Sequence, residues 1–415
     1  MLNRGDLATF VAFFLLAACQ ASAQDIGVSP AMPCAWLDAR LKQLAEEVSA
    51  EDWRRARLLN AVCALPTDDL TLADAEKALG DRPFSVALDD NSVTLIARTD
   101  GAKPQGLCCT VQDVTWTRIG QSRRLWAVRL RLERAREALL TLTVVNDLDA
   151  PWPDFVRLRG PEAPPAPVIW LDPEIKGGGE VVEETLFSPQ LNETRKLTIW
   201  RPPGFDPAKR YPALVLADGA SAAYYARMLE PMLYAGDIRP FVVIGVNSGA
   251  KAIVDPPDGL PRDVRSADYL PGFSGRFSDR FDQHLAFVAD TVLPWAAEGH
   301  AIDLDDVAVA GQSNGGTFAL HAGLRRPDRF RAAIPVSPGF GQIDDAVGFG
   351  PDYADFYISA GLYEPSFLRS ATISAAALEA VGALRARRWN AAGHAPDQTD
   401  QMFALYLPMV FPPED

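Results

Sequence analysis

One run constrains this chain more than any other: Val307-Ala-Val-Ala-Gly311-Gln-Ser313-Asn-Gly315-Gly316, followed by Thr317-Phe-Ala-Leu-His-Ala-Gly-Leu324. The β-branched stretch from Val307 reads as a buried parallel strand, and the residues after Gly316 read as a helix. A serine between the two must turn the backbone sharply, through strained angles that present its hydroxyl. Gly311 and Gly315 leave room for that turn. The layout is that of a nucleophile elbow, with Ser313 at the corner.

The surrounding texture supports the same architecture. Val181 to Phe187 and Thr194 to Trp200 suggest an antiparallel hairpin. Strands at Ala213 to Ala217, Phe241 to Asn247, Val307 to Ala310, Ala332 to Val336 and Asp355 to Ser359 then alternate with helices at Ala222 to Ala235, Phe281 to Glu298, Asn314 to Leu324 and Leu368 to Ala386. Such alternation specifies an α/β fold: an open, mostly parallel sheet with helices on both faces. The irregular span from Ser248 to Ser278, rich in Pro, Gly and Asp, is longer than an ordinary connection and is expected to shape a binding cleft.

Ahead of this region the pattern is different. Ser92 to Ala97, Val111 to Ile119, Leu125 to Leu132 and Ala138 to Val145 read as strands of a small β-sandwich-like domain over 81–160, and Pro161-Glu-Ala-Pro-Pro-Ala-Pro167 marks a linker over 161–180. Residues 24–80 read as a short helical segment, because 34–48 and 51–64 show helical spacing of apolar positions. The catalytic candidate region is then 181–415.

At 415 residues, 48% apolar and 23% charged, the chain has the composition of a globular protein of more than one domain. Its formal charge of -14 argues against binding phosphate backbones or anionic membrane surfaces, so no nucleic-acid partner is expected. Arg4 followed by an apolar run from Leu7 to Ala18 reads as a signal peptide over 1–23, too short to span a membrane. Ala21-Ser22-Ala23 fits cleavage before Gln24. Leu16-Ala17-Ala18-Cys19 resembles the lipobox of a bacterial lipoprotein, and membrane attachment is expected only if Cys19 is lipidated. The chain is therefore expected to be exported, to the periplasm or beyond.

Removing residues 1–23 leaves Cys34, Cys63, Cys108 and Cys109, an even number that suits an oxidising compartment and allows three pairings. A short turn between two antiparallel helices would bring Cys34 beside Cys63, the pairing we expect. Cys108 and Cys109 are expected to be vicinally bridged or free. No Cys/His spacing resembles a zinc site, and neither metal nor organic cofactor is expected.

A serine hydroxyl needs a base to take its proton, and the chain has four histidines. His394, in a loop after the last expected strand, lies where ligands of open α/β sheets bind. His284 and His321 fall within helices, and His300 precedes the elbow strand at its far end. A carboxylate should orient the imidazole. Glu364, where Phe356-Tyr-Ile-Ser-Ala-Gly361 runs from strand into loop, falls between serine and histidine in the required order, with a serine–histidine dyad as the alternative. Asp344, Asp345, Asp352 and Asp355 share the interval but sit in an irregular span or at the strand's opposite end. Oxyanion donors are expected at the backbone N–H groups of Asn314 and, in Leu216-Ala-Asp218-Gly219-Ala220, of Ala220. Asp218 is expected to shape that turn.

With these pieces assembled, residues 181–411 resemble the enterochelin esterase and esterase D-like branch of the α/β hydrolases. The resembling segments include Leu214-Val-Leu-Ala-Asp-Gly219, Arg265-Ser-Ala-Asp-Tyr269-Leu-Pro, Arg280-Phe-Asp-Gln-His-Leu, Leu293-Pro-Trp295, Ala310-Gly-Gln-Ser313-Asn-Gly-Gly316, Arg326-Pro-Asp-Arg-Phe330, Ser337-Pro338, Gly361-Leu-Tyr-Glu364 and Gly393-His394. The resemblance implies carboxylic ester hydrolysis with Ser313 as nucleophile and His394 as base, and Glu364 falls where such enzymes carry an acid. It also implies an N-terminal β-sandwich. Asn314 stands where Met or Leu is usual, and Ala395 where aspartate is common, so the substrate is left open between siderophore lactones, acyl sugars and other small esters. Acyl transfer by the same residues and a catalytically silent envelope-binding protein are the rival readings. Oligomeric state is not written in the sequence.

Overall fold

The computed structural model describes residues 31–104, 114–142, 156–165, 179–249, 253–254, 262–272 and 279–414. The signal-like segment with Cys19, the pair Cys108 and Cys109, and most of the expected linker lie outside them. The chain divides into two units. One comprises Met1–Pro165, Gly361–Arg369 and Trp389–Gln398; the other comprises Ala166–Ala360, Ser370–Arg388 and Thr399–Asp415.

The first unit opens with helices α1 (Cys34–Glu47) and α2 (Ala50–Leu59). Ser49 starts α2 by accepting the Asp52 N–H on its side chain, which satisfies a donor that the first turn leaves unpaired. Helix α2 ends at Leu59, short of the expected residue 64, because Val62–Leu65 form β1 instead. Cross-strand pairing outweighs the helical spacing there. The next elements are α3 (Leu72–Leu79), β2 (Phe84–Leu88), β3 (Ser92–Arg98), β4 (Thr117–Arg118), β5 (Leu125–Leu132), β6 (Leu139–Leu142) and β7 (Val156–Arg159).

Strands β1, β5, β3 and β2 lie in that order, all pairs antiparallel, with β4 on β5, while β6 and β7 form a separate ribbon. Among the described residues this is one sheet with a covering helix, not two facing sheets, and the segment expected to be purely helical gives β1 to that sheet. Ala75 and Leu79 of α3 pack on Ile96, Leu125 and Ala127. A capping box between Thr71 and Asp74 fixes where α3 begins. The expected Cys34–Cys63 disulfide is present and packs on Leu37, although Cys63 reaches it from a strand.

The second unit is built on an eight-stranded sheet. Its strands are β8 (Glu180–Ser188), β9 (Glu193–Arg201), β10 (Tyr211–Ala217), β11 (Val242–Val246), β14 (Ile302–Gln312), β15 (Ala332–Val336), β16 (Asp355–Gly361) and β17 (Leu384–Asn390). Their order is β17-β16-β15-β14-β10-β11-β9-β8. From β11 to β16 neighbours are parallel, and β8, β9 and β11 are antiparallel, as the alternation of strands and helices predicts. A short ribbon, β12 (Ile253–Val254) with β13 (Arg262–Asp263), accompanies the sheet.

Two-residue alternation places Ala213, Val215, Val307 and Val309 in one core and Leu214, Leu216, Ala308 and Ala310 in the other. Helices α5 (Val264–Tyr269), α6 (Asp279–Phe287), α7 (Leu293–Gly299), α8 (Asn314–Arg325) and α9 (Pro365–Ala380) contribute to the first core, and α4 (Ala222–Ala235) and α10 (Pro396–Val410) to the second. Burying each leucine is worth roughly 1.5–3 kcal/mol, so the two-sided pattern commits the sheet to helices on both faces.

Two expected helices differ in extent. The one over Phe281 to Glu298 is broken by a π-helical turn, Val288–Val292, just before Pro294, which lacks the N–H that a continuous α-helix requires. The one over Leu368 to Ala386 ends at Ala380; Gly382 then takes φ 73° and the chain turns into β17.

Candidate active site

Ser313 sits at the junction of β14 and α8 with φ 60° and ψ -126°, outside the region a serine ordinarily occupies. Its N–H donates to the Val336 carbonyl at 3.1 Å, and its own carbonyl accepts from Thr317 N–H at 3.0 Å. The glycines around it are sterically required. A Cβ on Gly311 would lie 2.4 Å from the Gly315 carbonyl oxygen, and one on Gly316 would lie 2.4 Å from that of Val336. The elbow is thus a backbone construction, made by close packing that side chains would prevent.

Asn314 is the first residue of α8, so its N–H belongs to the turn that has no acceptor within the helix. Its side chain donates from Nδ2 to Ser266 Oγ at 3.1 Å. The other expected oxyanion donor, Ala220 N–H, has a partner here: it donates to Asn247 Oδ1 at 2.9 Å. Asp218 shapes the turn as expected, with φ 57°. Both its carboxylate oxygens accept from Arg265, each at 2.6 Å, and its N–H donates to Tyr269 Oη at 2.9 Å. Helix α5 therefore holds the loops that flank Ser313 through Arg265, Ser266 and Tyr269. Arg265, Ser266, Tyr269 and Asn247 had no individual role in the sequence reading.

In the first unit, Glu364 and His394 meet. His394 Nδ1 lies 2.5 Å from Glu364 Oε2, and Glu364 Oε1 accepts the Gly361 N–H at 2.5 Å. The carboxylate is buried and the imidazole is 15% exposed. Because a carboxylate at Nδ1 calls for a proton there, Nε2 is left free to accept one. Phe367, three residues after Glu364, stacks on the imidazole with ring centres 3.8 Å apart and planes 14° from parallel. The short segment Glu364–Phe367 thus restrains His394 by edge and by face, and Glu-Pro-Ser-Phe was the available but unread signal.

The remaining histidines have other surroundings. His321 Nε2 bonds the Gly341 carbonyl at 2.6 Å, and burial pushes its pKa down to about 4. His284 packs among Tyr269, Phe287 and Phe318, and burial holds it well below the usual imidazole range. His300 faces Arg201 and Glu184. Asp355, one of the weaker acid candidates, bonds Arg385 at 2.8 Å.

The sheet order, the helices on both faces and the strained serine corner are those of the α/β-hydrolase fold. Residues 188–354 match the family model described as "Putative esterase". Enterochelin esterase from Shigella flexneri is similar in structure, with a TM-score of 0.55 at 18% identity over 80% of this chain and 98% of that one. The Shigella flexneri enterobactin esterase solved in the presence of enterobactin gives 0.55 at 17% identity over 83% and 100%. Ferric enterobactin esterase from Salmonella typhimurium gives 0.53 at 16% identity over 79% and 97%. The match over residues 188–354 supports carboxylic ester hydrolysis, and the fold is the one these enterochelin esterase structures share.

Proposed function

We propose that the protein is an exported serine esterase that hydrolyses small-molecule carboxylic esters through an acyl-enzyme intermediate. The observation that carries this reading is the buried Glu364–His394 pair, which follows the strained Ser313 corner in the chain order of α/β-hydrolase triads. Ser313 Oγ attacks the ester carbonyl while His394 Nε2 takes its proton. The C–O bond to the alcohol then breaks, and the alcohol leaves with that proton. Water repeats the sequence on the acyl-enzyme, releasing the acid and returning the proton to Ser313. Glu364 stabilises the imidazolium in both steps. The N–H groups of Asn314 and Ala220 receive the oxyanion, which must displace Asn247 Oδ1 from Ala220.

Siderophore lactones head the substrate list, since a structural neighbour was solved with enterobactin, and acyl sugars follow. Export is supported by the Cys34–Cys63 disulfide, which an oxidising compartment preserves, and by the signal-like first 23 residues, with lipidation at Cys19 as the anchored variant. Among the described residues no helix is long and apolar enough to cross a membrane.

Ser313→Ala tests the reading. Turnover of p-nitrophenyl acetate should fall by several orders of magnitude, and a fluorophosphonate should label the parent protein at Ser313 but not the variant. Undiminished hydrolysis by folded Ser313→Ala would overturn it. Absence of labelling and of hydrolysis in the parent protein would favour a silent binding protein.

A further inference from the structure

The proposed acid and base both stand on segments that belong to the N-terminal unit, Gly361–Arg369 and Trp389–Gln398. They are tied to each other through the backbone. Leu362 N–H donates to the Asn390 carbonyl at 2.8 Å, and Tyr363 N–H to that of Ala392 at 3.0 Å. Gly361 approaches so closely that a Cβ there would lie 2.3 Å from the Ala392 oxygen.

Both segments are also tied to one short stretch, 133–139, which leads from β5 to β6. Tyr363 Oη donates to the Glu133 carbonyl at 2.9 Å, Arg134 Nη1 to the Trp389 carbonyl at 3.0 Å, and Leu139 N–H to the Ala391 carbonyl at 2.9 Å. Tyr363 is fully buried. Arg134 holds φ 60°, a conformation unusual for any residue but glycine, and Glu137 grips its guanidinium by Nε at 2.7 Å and also at Nη2. That grip directs the remaining nitrogen, Nη1, to Trp389. A strained residue held by its own turn and donating to the strand end that precedes the proposed base is an expense that a simple connector would not carry.

We propose that residues 133–139 are the positioning element of the proton relay, acting through Arg134 and Tyr363 to set the distance between Glu364 and His394. The inference rests on the triad reading above and gives the N-terminal unit a part in catalysis without touching substrate. A loosened seat lets the imidazole drift from its carboxylate, which lowers the chemical rate and leaves ester binding alone.

The test uses the full chain with three variants: Arg134→Ala, Tyr363→Phe and, as control, Arg136→Ala. Arg136 lies in the same turn but pairs with Asp90 and Glu162 on the surface. Arg134→Ala and Tyr363→Phe should each lower kcat about tenfold to a hundredfold with KM within about twofold of the parent, the scale on which displaced catalytic groups cost rate. They should also broaden or shift the far-downfield proton resonance of the Nδ1–H bond between His394 and Glu364. Arg136→Ala should do neither. Should Arg134→Ala not fold, Tyr363→Phe, which removes one hydroxyl, carries the test alone. Parent-like kcat and an unmoved proton signal, with His394→Ala inactive, would overturn this inference and leave the triad standing. An active His394→Ala would instead remove the triad reading itself.

Discussion

The Ser313 corner and the Glu364–His394 pair are built by opposite means. At the corner, backbone fits against backbone: Gly311 against Gly315, Gly316 against Val336, and a serine forced to φ 60° between them. Every participant lies within a few residues in sequence or on the adjacent strand. The Glu364–His394 pair is a side-chain construction. Its geometry depends on a carboxylate reaching thirty residues along the chain to an imidazole, on Phe367 stacked above it, and on hydrogen bonds from 133–139, more than two hundred residues earlier. The first kind of site is encoded in a motif, and the second in tertiary packing. A corner of this kind fails by steric clash, whereas a pair of this kind fails by losing alignment.

The largest expected effect probes whether the two act as a unit. Ser313→Ala and His394→Ala should each reduce kcat on an activated ester by about four to six orders of magnitude, and the double variant should be no worse than either single one, because residues of one relay are strongly non-additive. Multiplying losses would show that corner and pair work independently, and would break the triad. Next in size is the steric claim. Gly316→Ala should destabilise the fold by about 1–3 kcal/mol, as overpacking against a fixed carbonyl does, whereas Gly299→Ala, where a Cβ meets nothing within 4 Å, should be neutral or mildly stabilising. Denaturant midpoints decide it. Equal midpoints for the two variants would mean that the corner yields without cost.

The same division explains what could be read from the residues in advance. Strand–helix alternation, the corner at Ser313, the disulfide Cys34–Cys63 and the choice of Glu364 and His394 as proposed acid and base follow from local pattern and chain order. β17 was hidden because Leu384–Asn390, Leu-Arg-Ala-Arg-Arg-Trp-Asn, offers mixed polarity at a sheet edge and directly follows a helical texture that ends at Gly382. The end of α2 was hidden for a related reason, since only pairing with β5 distinguishes Val62–Leu65 from helix. The occupied Ala220 donor, the Arg265–Asp218 clamp and the 133–139 seat were unreadable because each joins residues whose proximity the sequence does not record.

Histidines extend the comparison to acid, where the expected effect is smallest. His321, on the helix that follows the corner, and His284, on α6, are buried, and burial keeps them neutral; for His284, Arg195 and Arg280 add to the penalty on charge. Below an unfolded imidazole value of about 6.5, the unfolded chain takes up protons that these rings refuse, so stability must fall as pH drops from about 6.5 toward about 4. Each ring contributes a slope of up to about 1.4 kcal/mol per pH unit. Asp268 works in the opposite sense. Burial outweighs the neighbouring Arg195 and Arg280 and pushes its carboxyl up to about 6, so its contribution weakens as pH rises from about 4 to about 6. The parent's net slope therefore mixes both signs, and the informative quantity is a difference between variants. His321→Gln preserves a donor for the Gly341 carbonyl but cannot titrate, and should make urea midpoints fall less steeply on acidification by nearly one proton's worth. An unchanged slope would mean that His321 accepts its proton in place, and that the packing around it tolerates charge.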